Sequence, residues 1–121
     1  MRKALYLSLV VLSSVLILVS GCSKDNDGGG GGASVDCATV TNKAYAANIS
    51  PIIQSSCAIA GCHAAGSTNG PGPLTSYTEI SNAKARIRTA VSSGLMPQGS
   101  SLSTAQKNSI ICWIDGGAPN N

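Results

Sequence analysis

The feature that most constrains this chain is its shortage of large aromatic side chains. It has no Phe, one Trp and three Tyr among its 121 residues. Once an apolar N-terminal segment is set aside, only Tyr45, Tyr77 and Trp113 remain to fill a core. A core this small stabilises a domain by only ~3–5 kcal/mol, so disulfides, a metal or a cofactor are generally needed as well. We therefore predict one small domain that depends on its cysteines or on a bound group.

The N-terminal segment has the pattern of a targeting signal. Arg2-Lys3 precedes an apolar run that ends in Val19-Ser20-Gly21-Cys22, and these four residues resemble a bacterial lipobox. The small residues before the cysteine let a peptidase approach the bond, and the cysteine is then acylated. The apolar run, of about 16 residues, is short for a transmembrane anchor, which is the alternative interpretation. We predict that residues 1–21 are a lipoprotein signal peptide and that Cys22 is lipidated.

A glycine run separates this signal from the rest of the chain. Gly28 to Gly32 is unbroken and has the composition of a flexible tether, so residues 22–34 are assigned to a lipidated linker and residues 35–121 to the folded domain. The predicted location is the bacterial cell envelope, with the lipid anchor in a membrane and the domain facing the periplasm or lying at the outer-membrane surface. This compartment permits disulfides.

The charge balance excludes one class of function. The formal net charge is +3, but much of it lies in the signal peptide, and the chain from Cys22 onward is nearly neutral. Its charged residues are Lys24, Lys43, Lys84, Arg86, Arg88 and Lys107, against Asp25, Asp27, Asp36, Glu79 and Asp115. A nucleic-acid-binding protein needs a basic stripe that displaces phosphate counterions, and this chain has none.

The apolar residues of the domain recur at helical spacing, which predicts an all-α fold without strands. A helix is expected from Ser50-Pro51 to Cys57, with a shorter helical turn over residues 45–49 before it. Two further helices are each preceded by a capping-box pattern. They begin at Ser76 and Ser103 and end at Ser93-Gly94 and Gly116-Gly117.

Most of the chemistry is concentrated in the sequence Cys57-Ala58-Ile59-Ala60-Gly61-Cys62-His63. Attachment of haem needs two thiols that add to its vinyl groups and a histidine directly after the second thiol, to coordinate the iron. Cys62-His63 matches the second half of this requirement. Four residues separate the thiols, rather than the usual two, so the chain between them must bulge.

Two other interpretations of this motif exist. Cys57 and Cys62 could form a disulfide that closes a small loop beside a surface histidine. Alternatively, Cys57, Cys62 and His63 could bind zinc with a fourth ligand from Cys37 or Cys112. The oxidising compartment disfavours zinc because it does not keep these thiols reduced.

The chain from about residue 45 to residue 119 resembles a one-haem c-type cytochrome domain. The resemblance lies in the order of four features: a helix before the cysteine motif, the loop Gly70-Pro71-Gly72-Pro73, Met96-Pro97, and a C-terminal helix with Trp113. The ending from Cys112 to Pro119 is similar to small cytochrome-c-like lipoprotein domains of Bacteroidota. The resemblance implies a small all-α fold around one covalently attached haem c.

The resemblance also implies a set of site residues. Cys57 and Cys62 would hold the haem, and His63 and Met96 would coordinate its iron. His63 is the single histidine, and Met96 is the single methionine beyond the signal peptide, so two histidine ligands are not available within one chain. The carbonyl of Pro71 or Pro73 would accept the His63 Nδ1 proton. The expected apolar lining is Ile53, Ile59, Leu74, Tyr77, Ile87, Val91, Leu95 and Trp113.

The function implied is that of a monomeric electron carrier, which is not an enzyme and whose partners are redox proteins of the cell envelope. The basic residues Lys84, Arg86 and Arg88 would then be a solvated helix face or a docking site for an acidic partner. An alternative from another class is a haem-free, disulfide-stapled lipoprotein that acts as a binding or structural module. Peroxidase-like or sensor activity is a third hypothesis and would require an iron without Met96.

Two cysteines remain once Cys22, Cys57 and Cys62 have been assigned. We predict that Cys37 and Cys112 form a disulfide between the start of the domain and its last helix. The alternative is that Cys112 is a buried thiol acting as a small apolar side chain, while Cys37 is exposed and reactive.

Overall fold

The computed structural model describes residues 34–121, so the predicted signal peptide, Cys22 and the glycine run lie outside the described residues. A π-helical turn over Tyr45–Ile49 leads directly into helix α1 (Ser50–Ser56). Helices α2 (Tyr77–Ser92) and α3 (Thr104–Asp115) follow, and no strand occurs between residues 34 and 121. The all-α prediction is confirmed. Within the described range, every helix is too short or too polar to cross a membrane.

The first helical segment forms where Ser50-Pro51 predicted it, and the expected turn precedes it. The backbone N–H of Ser50 donates to the carbonyl of Tyr45, five residues earlier, which is the hydrogen bond of a π-helical turn. Pro51 lies in the first turn of α1, a position that the fixed φ of proline suits. Ile49 and Ile53 are fully buried, so this segment packs its apolar side into the core just before Cys57.

The starts of α2 and α3 are defined by capping boxes, as predicted. The Ser76 hydroxyl accepts a hydrogen bond from the backbone N–H of Glu79, whose carboxylate accepts one from the Ser76 N–H. Ser103 and Gln106 repeat this reciprocal pair at the start of α3. The pKa of Glu79 is lowered by hydrogen bonds to its carboxylate. The largest effect comes from the Thr75 hydroxyl, followed by the Thr75 backbone N–H, and Ser76 contributes less. The carboxylate consequently stays ionised as a capping group at neutral pH.

The core is built from aliphatic residues of all the helices and the three aromatic side chains. One face of α2 is buried at helical spacing through Ile80, Ala83, Ile87 and Val91. The aromatic side chains contact one another: the ring centroids of Tyr45 and Tyr77 are 5.0 Å apart, edge to face, and those of Tyr45 and Trp113 are 5.7 Å apart. These contacts join the π-helical turn to α2 and α3.

The C-terminal segment after α3 is hydrogen-bonded to this aromatic cluster. Trp113 donates from its indole nitrogen to the carbonyl of Pro119 at 2.9 Å, and the Tyr77 hydroxyl donates to the carbonyl of Ala118 at 2.9 Å. Ala118 is buried and has a φ of 55°, which is uncommon for a residue with a side chain. The glycine pair that ends α3 thus leads into a packed segment rather than a loose tail.

Cys37 and Cys112 form a disulfide, which confirms the predicted pairing. Their Cα atoms are 5.3 Å apart, and Cys112 is buried on α3. The Cys37 carbonyl also accepts a hydrogen bond from the Lys43 ammonium at 2.9 Å. The disulfide therefore attaches the N-terminal segment of the domain to its last helix.

A single ion pair is present within residues 34–121, and it joins α2 to α3. Arg88 donates from two guanidinium nitrogens to both carboxylate oxygens of Asp115, at 2.6 and 2.9 Å. The hydrogen bond from Arg88 lowers the pKa of the Asp115 carboxyl. The two side chains are 46% and 38% exposed, so solvent screens their attraction and limits its contribution to stability.

We expect Arg88→Gln to lower the free energy of unfolding by about 0.5 kcal/mol at neutral pH. Because the pKa of Asp115 is lowered in the folded state, the contribution is present above the ordinary carboxyl pKa and is lost as the pH falls through the lowered value. Urea titrations at pH 7 and at strongly acidic pH measure both effects. Lys84→Gln removes a charge one turn earlier without breaking an ion pair and is the matched control. An equal loss in both variants would contradict the assignment.

Candidate functional site

A cavity of about 910 Å³ lies between α1, the loop after it, α2 and the segment around Met96. It brings together the four residues predicted for the haem site: Cys57, Cys62, His63 and Met96. The remaining lining residues are Ile53, Ser56, Gly61, Asn69, Gly70, Pro71, Leu74, Ala85, Arg86, Ile87, Thr89, Ala90, Val91, Leu95, Pro97, Gln98 and Ile110. The volume is within the range of roughly 300–1,000 Å³ that is typical of cofactor and small-molecule sites.

The His63 imidazole is held in one orientation. The residue is 6% exposed, and Nδ1 lies 2.9 Å from the carbonyl oxygen of Gly72. A carbonyl only accepts hydrogen bonds, so Nδ1 carries the proton and, in the neutral ring, Nε2 carries the lone pair. Nε2 makes no hydrogen bond within residues 34–121. Every buried side-chain nitrogen or oxygen in that range has a hydrogen-bond partner, so Nε2 is not one of the buried atoms. Nε2 is therefore accessible from the cavity.

The carbonyl that contacts His63 is not one of the two that the sequence analysis proposed. Pro71 and Pro73 were the expected acceptors, but the hydrogen bond is made by Gly72, which lies between them. Gly72 has a φ of +105°, a conformation open to glycine and strained for other residues, and this turns its carbonyl toward the ring. The expectation was correct about the loop and wrong about the residue.

Hydrogen bonds also secure the backbone of His63 on both sides. Its N–H donates to the carbonyl of Cys57 at 3.0 Å, and its carbonyl accepts from the N–H of Leu74 at 2.9 Å. Gln54 on α1 donates to the carbonyl of Leu74 at 3.2 Å. The histidine is thereby tied to α1, to its own cysteine motif and to the loop that leads into α2.

Cys57 and Cys62 are both half-buried thiols and are not joined by a disulfide. Burial, and secondarily the nearby Cys62, raise the pKa of the Cys57 thiol, which therefore stays protonated at neutral pH. The four residues between the cysteines bulge outward, as expected: Ala58 donates to the carbonyl of Ile53, and Ile59 is 44% exposed. The bulge lets both thiols line the same cavity despite the wide spacing.

The zinc interpretation finds no support within residues 34–121. No group of three or more His, Cys, Asp or Glu side chains in this range is arranged to hold a metal ion. Cys37 and Cys112, the two candidates for a fourth ligand, are bonded to each other.

Met96 is placed at the cavity by the end of α2. Gly94 ends the helix with a φ of +74°, and the N–H of Met96 donates to the carbonyl of Ala90 at 3.1 Å. The half-buried Met96 side chain then lines the cavity together with Pro97.

The apolar lining agrees with the sequence analysis in part. Five of the eight proposed residues line the cavity: Ile53, Leu74, Ile87, Val91 and Leu95. Tyr77 and Trp113 belong to the aromatic cluster instead, and Ile59 is on the bulge. Ile110 also lines the cavity and was not predicted to do so, since residues 109–114 are buried at consecutive positions and the periodicity of α3 does not single out one face.

The basic residues of α2 do not form one surface. Arg88 is paired with Asp115, whereas Arg86 lines the cavity and is the only charged side chain among residues 34–121 that does so. Residues two apart on a helix point in nearly opposite directions, which explains the separation. Arg86 and Arg88 are both exposed, as expected for a solvated helix, although they lie on different sides of α2, and docking of an acidic partner stays a prediction.

Comparison of the chain with protein-family models, curated proteins and solved structures finds no match. The interpretation of the cavity depends on the residues that line it. They present two thiols, an imidazole nitrogen with a lone pair, and a thioether to one predominantly apolar space.

Proposed function

We propose that the cavity binds one covalently attached haem c and that the protein is a lipid-anchored c-type cytochrome of the cell envelope, which passes single electrons between redox proteins. The observation that carries this proposal is the environment of His63. Nδ1 donates a hydrogen bond to the carbonyl of Gly72. Nε2 is accessible from the cavity, which Cys57, Cys62 and Met96 also line. This is the donor set that a His/Met-ligated haem c requires.

Each of the four side chains has a distinct role in this proposal. The thiols of Cys57 and Cys62 would hold the haem covalently as thioethers. Nε2 of His63 and the sulfur of Met96 would be the protein ligands to the iron. Gly72 holds the His63 ring in the tautomer that leaves Nε2 unprotonated and makes it more basic. Haem, when bound, supplies the one-electron redox chemistry, and the protein makes and breaks no bond in a substrate.

The apolar lining would affect the reduction potential of the haem. Ile53, Leu74, Ile87 and Val91 are buried and line the cavity together with His63 and Met96. An apolar environment disfavours the more highly charged ferric state and raises the reduction potential, as does a methionine ligand. A monomer in which the disulfide and the haem together support the small core is consistent with the shortage of aromatic side chains.

The Cys37–Cys112 disulfide is equally compatible with one alternative, a haem-free lipoprotein stapled by this bond that acts as a binding or structural module. In that case the cavity would take a different apolar ligand or remain a feature of the scaffold. The two proposals differ in one measurable property, which is covalent haem on Cys57 and Cys62.

Expression of the full chain with a cytochrome c maturation system tests the proposal. The mature protein is expected to exceed the mass of the lipidated polypeptide by one haem and to retain haem through denaturing electrophoresis. Cys57→Ala/Cys62→Ala is expected to lose all covalent haem, and each single variant to retain at most one thioether. A co-expressed cytochrome of known maturation serves as the positive control. If that control is loaded while this chain has the mass of the bare lipoprotein, the cytochrome proposal fails.

Met96→Ala is expected to remove the weak sulfur-to-iron absorption band of the ferric protein and to lower its reduction potential, because the thioether ligand is lost. Optical spectroscopy and potentiometric titration of the loaded protein measure both. Leu95→Ala is the matched control, since Leu95 lines the same cavity without a ligand atom. An unchanged spectrum and potential in Met96→Ala would show that the iron has another sixth ligand or an open position.

A further inference from the structure

The side chain of Asn69, which directly precedes the loop Gly70-Pro71-Gly72-Pro73, is hydrogen-bonded to the Cys57–His63 segment. Its amide nitrogen donates to the carbonyls of Gly61 at 3.0 Å and Cys62 at 3.1 Å. Ser67 supports the same arrangement, because its hydroxyl donates to the Cys62 carbonyl and accepts from the backbone N–H of Asn69. Asn69 is itself exposed, so these contacts do not follow from packing in the core.

The Cys62 carbonyl belongs to the peptide unit that precedes His63. The N–H of that unit, on His63, donates to the carbonyl of Cys57 at 3.0 Å. Because a peptide unit is planar, restraining its carbonyl from one side and its N–H from the other fixes the orientation of the peptide plane that leads into His63. Asn69 provides one of these two restraints.

Asn69 is also connected to the imidazole ring through the turn that contains Gly72. Its backbone carbonyl accepts a hydrogen bond from the N–H of Gly72 and closes the turn. The carbonyl of Gly72 in turn accepts the Nδ1 proton of His63. A single residue therefore contacts both the backbone before His63 and the turn that carries the acceptor for its ring.

We propose that Asn69 is a positioning residue for His63, which sets the imidazole plane and tautomer so that Nε2 is presented to the cavity. The significance of this role rests on the proposed function, in which Nε2 binds the iron, but the hydrogen bonds belong to the protein alone. Asn is suited to the position because one amide nitrogen supplies two donors. An Asp side chain would instead place a carboxylate against two carbonyl oxygens.

The first test uses the haem-free full chain and the tautomer of its only histidine. In wild-type protein, imidazole ¹⁵N spectra are expected to show the single Nδ1–H tautomer. Asn69→Asp is expected to lose that signature, with the Nδ1 and Nε2 shifts moving toward each other as the second tautomer becomes populated. Asn42→Asp makes the same charge change at an exposed position without a side-chain hydrogen bond in the described part of the chain, and should leave the spectrum unchanged.

The second test uses the loaded protein. Asn69→Asp is expected to shift the g values of the ferric electron paramagnetic resonance spectrum, which report the orientation of the axial imidazole, and Asn69→Gln, which keeps both donors, should reverse part of the shift. A wild-type tautomer and wild-type g values in Asn69→Asp would overturn the proposal. Failure of haem loading would refute the cytochrome proposal while leaving the tautomer test intact.

A third comparison covers the case in which Asn69→Asp does not fold. Ser67→Ala and Asn69→Ala remove the two donors to the Cys62 carbonyl separately and introduce no charge. Their effects on the tautomer ratio should be non-additive in the double variant, because the two side chains share one acceptor. Single-tautomer spectra in both variants would equally overturn the proposal.

Discussion

Removal of the Cys37–Cys112 disulfide is expected to leave the haem-free domain largely unfolded at room temperature. The two cysteines are 75 residues apart in sequence, so the bond closes most of the domain into one loop. Chain entropy predicts that closing a loop of this length stabilises the folded state by roughly 4–5 kcal/mol. That is comparable to the ~3–5 kcal/mol expected from so small a core, and little net stability remains without the bond.

Denaturant titration of Cys37→Ala/Cys112→Ala, followed by far-ultraviolet circular dichroism, measures this effect. Cys57→Ala/Cys62→Ala is the matched control, because it also removes two cysteines but leaves the disulfide intact. Reductant should destabilise the wild-type protein and the control to the same extent and leave the disulfide variant unaffected. An unfolding midpoint of Cys37→Ala/Cys112→Ala close to that of wild type would show that the bond contributes little.

Trp113→Ala is expected to lower the free energy of unfolding by about 3–5 kcal/mol, the usual range for truncating a buried tryptophan. Trp113 is 1% exposed and is the largest of the fully buried side chains. It contacts the ring of Tyr45 and donates to the carbonyl of Pro119. The variant would leave a cavity at the centre of the aromatic cluster and release the C-terminal segment.

Tyr77→Phe provides the comparison for Trp113→Ala. It keeps the ring in the cluster and removes only the hydroxyl that donates to Ala118, for which a loss of about 1 kcal/mol is expected. Both variants are measured by denaturant titration with the disulfide intact. A loss below that of Tyr77→Phe would mean that Trp113 is not the main support of the core.

Local chemistry explains the features that could be predicted without the structure. A capping box involves residues three apart, so Ser76 and Ser103 identify the starts of α2 and α3 from sequence alone. Pro51 similarly identifies the first turn of α1. The pairing of Cys37 with Cys112 required a different argument, in which the other cysteines were first assigned to lipid and haem, and the structure bears out the pairing itself.

The helices and the residues that offer thiol, imidazole and thioether groups follow from residue type and from contacts over a few positions, whereas the disulfide joins positions 75 apart and was predicted only by assigning the other cysteines first. Long-range packing sets three further features: Gly72 is the acceptor for His63, Ile110 rather than Trp113 lines the cavity, and Arg86 and Arg88 have different neighbours. These outcomes depend on which side of a loop or helix meets its neighbour. In a helix that is buried at consecutive positions, the local sequence does not decide which side chain faces a given neighbour. In a loop with two Gly-Pro pairs, it does not decide which carbonyl does so. Packing against residues distant in the sequence makes the selection.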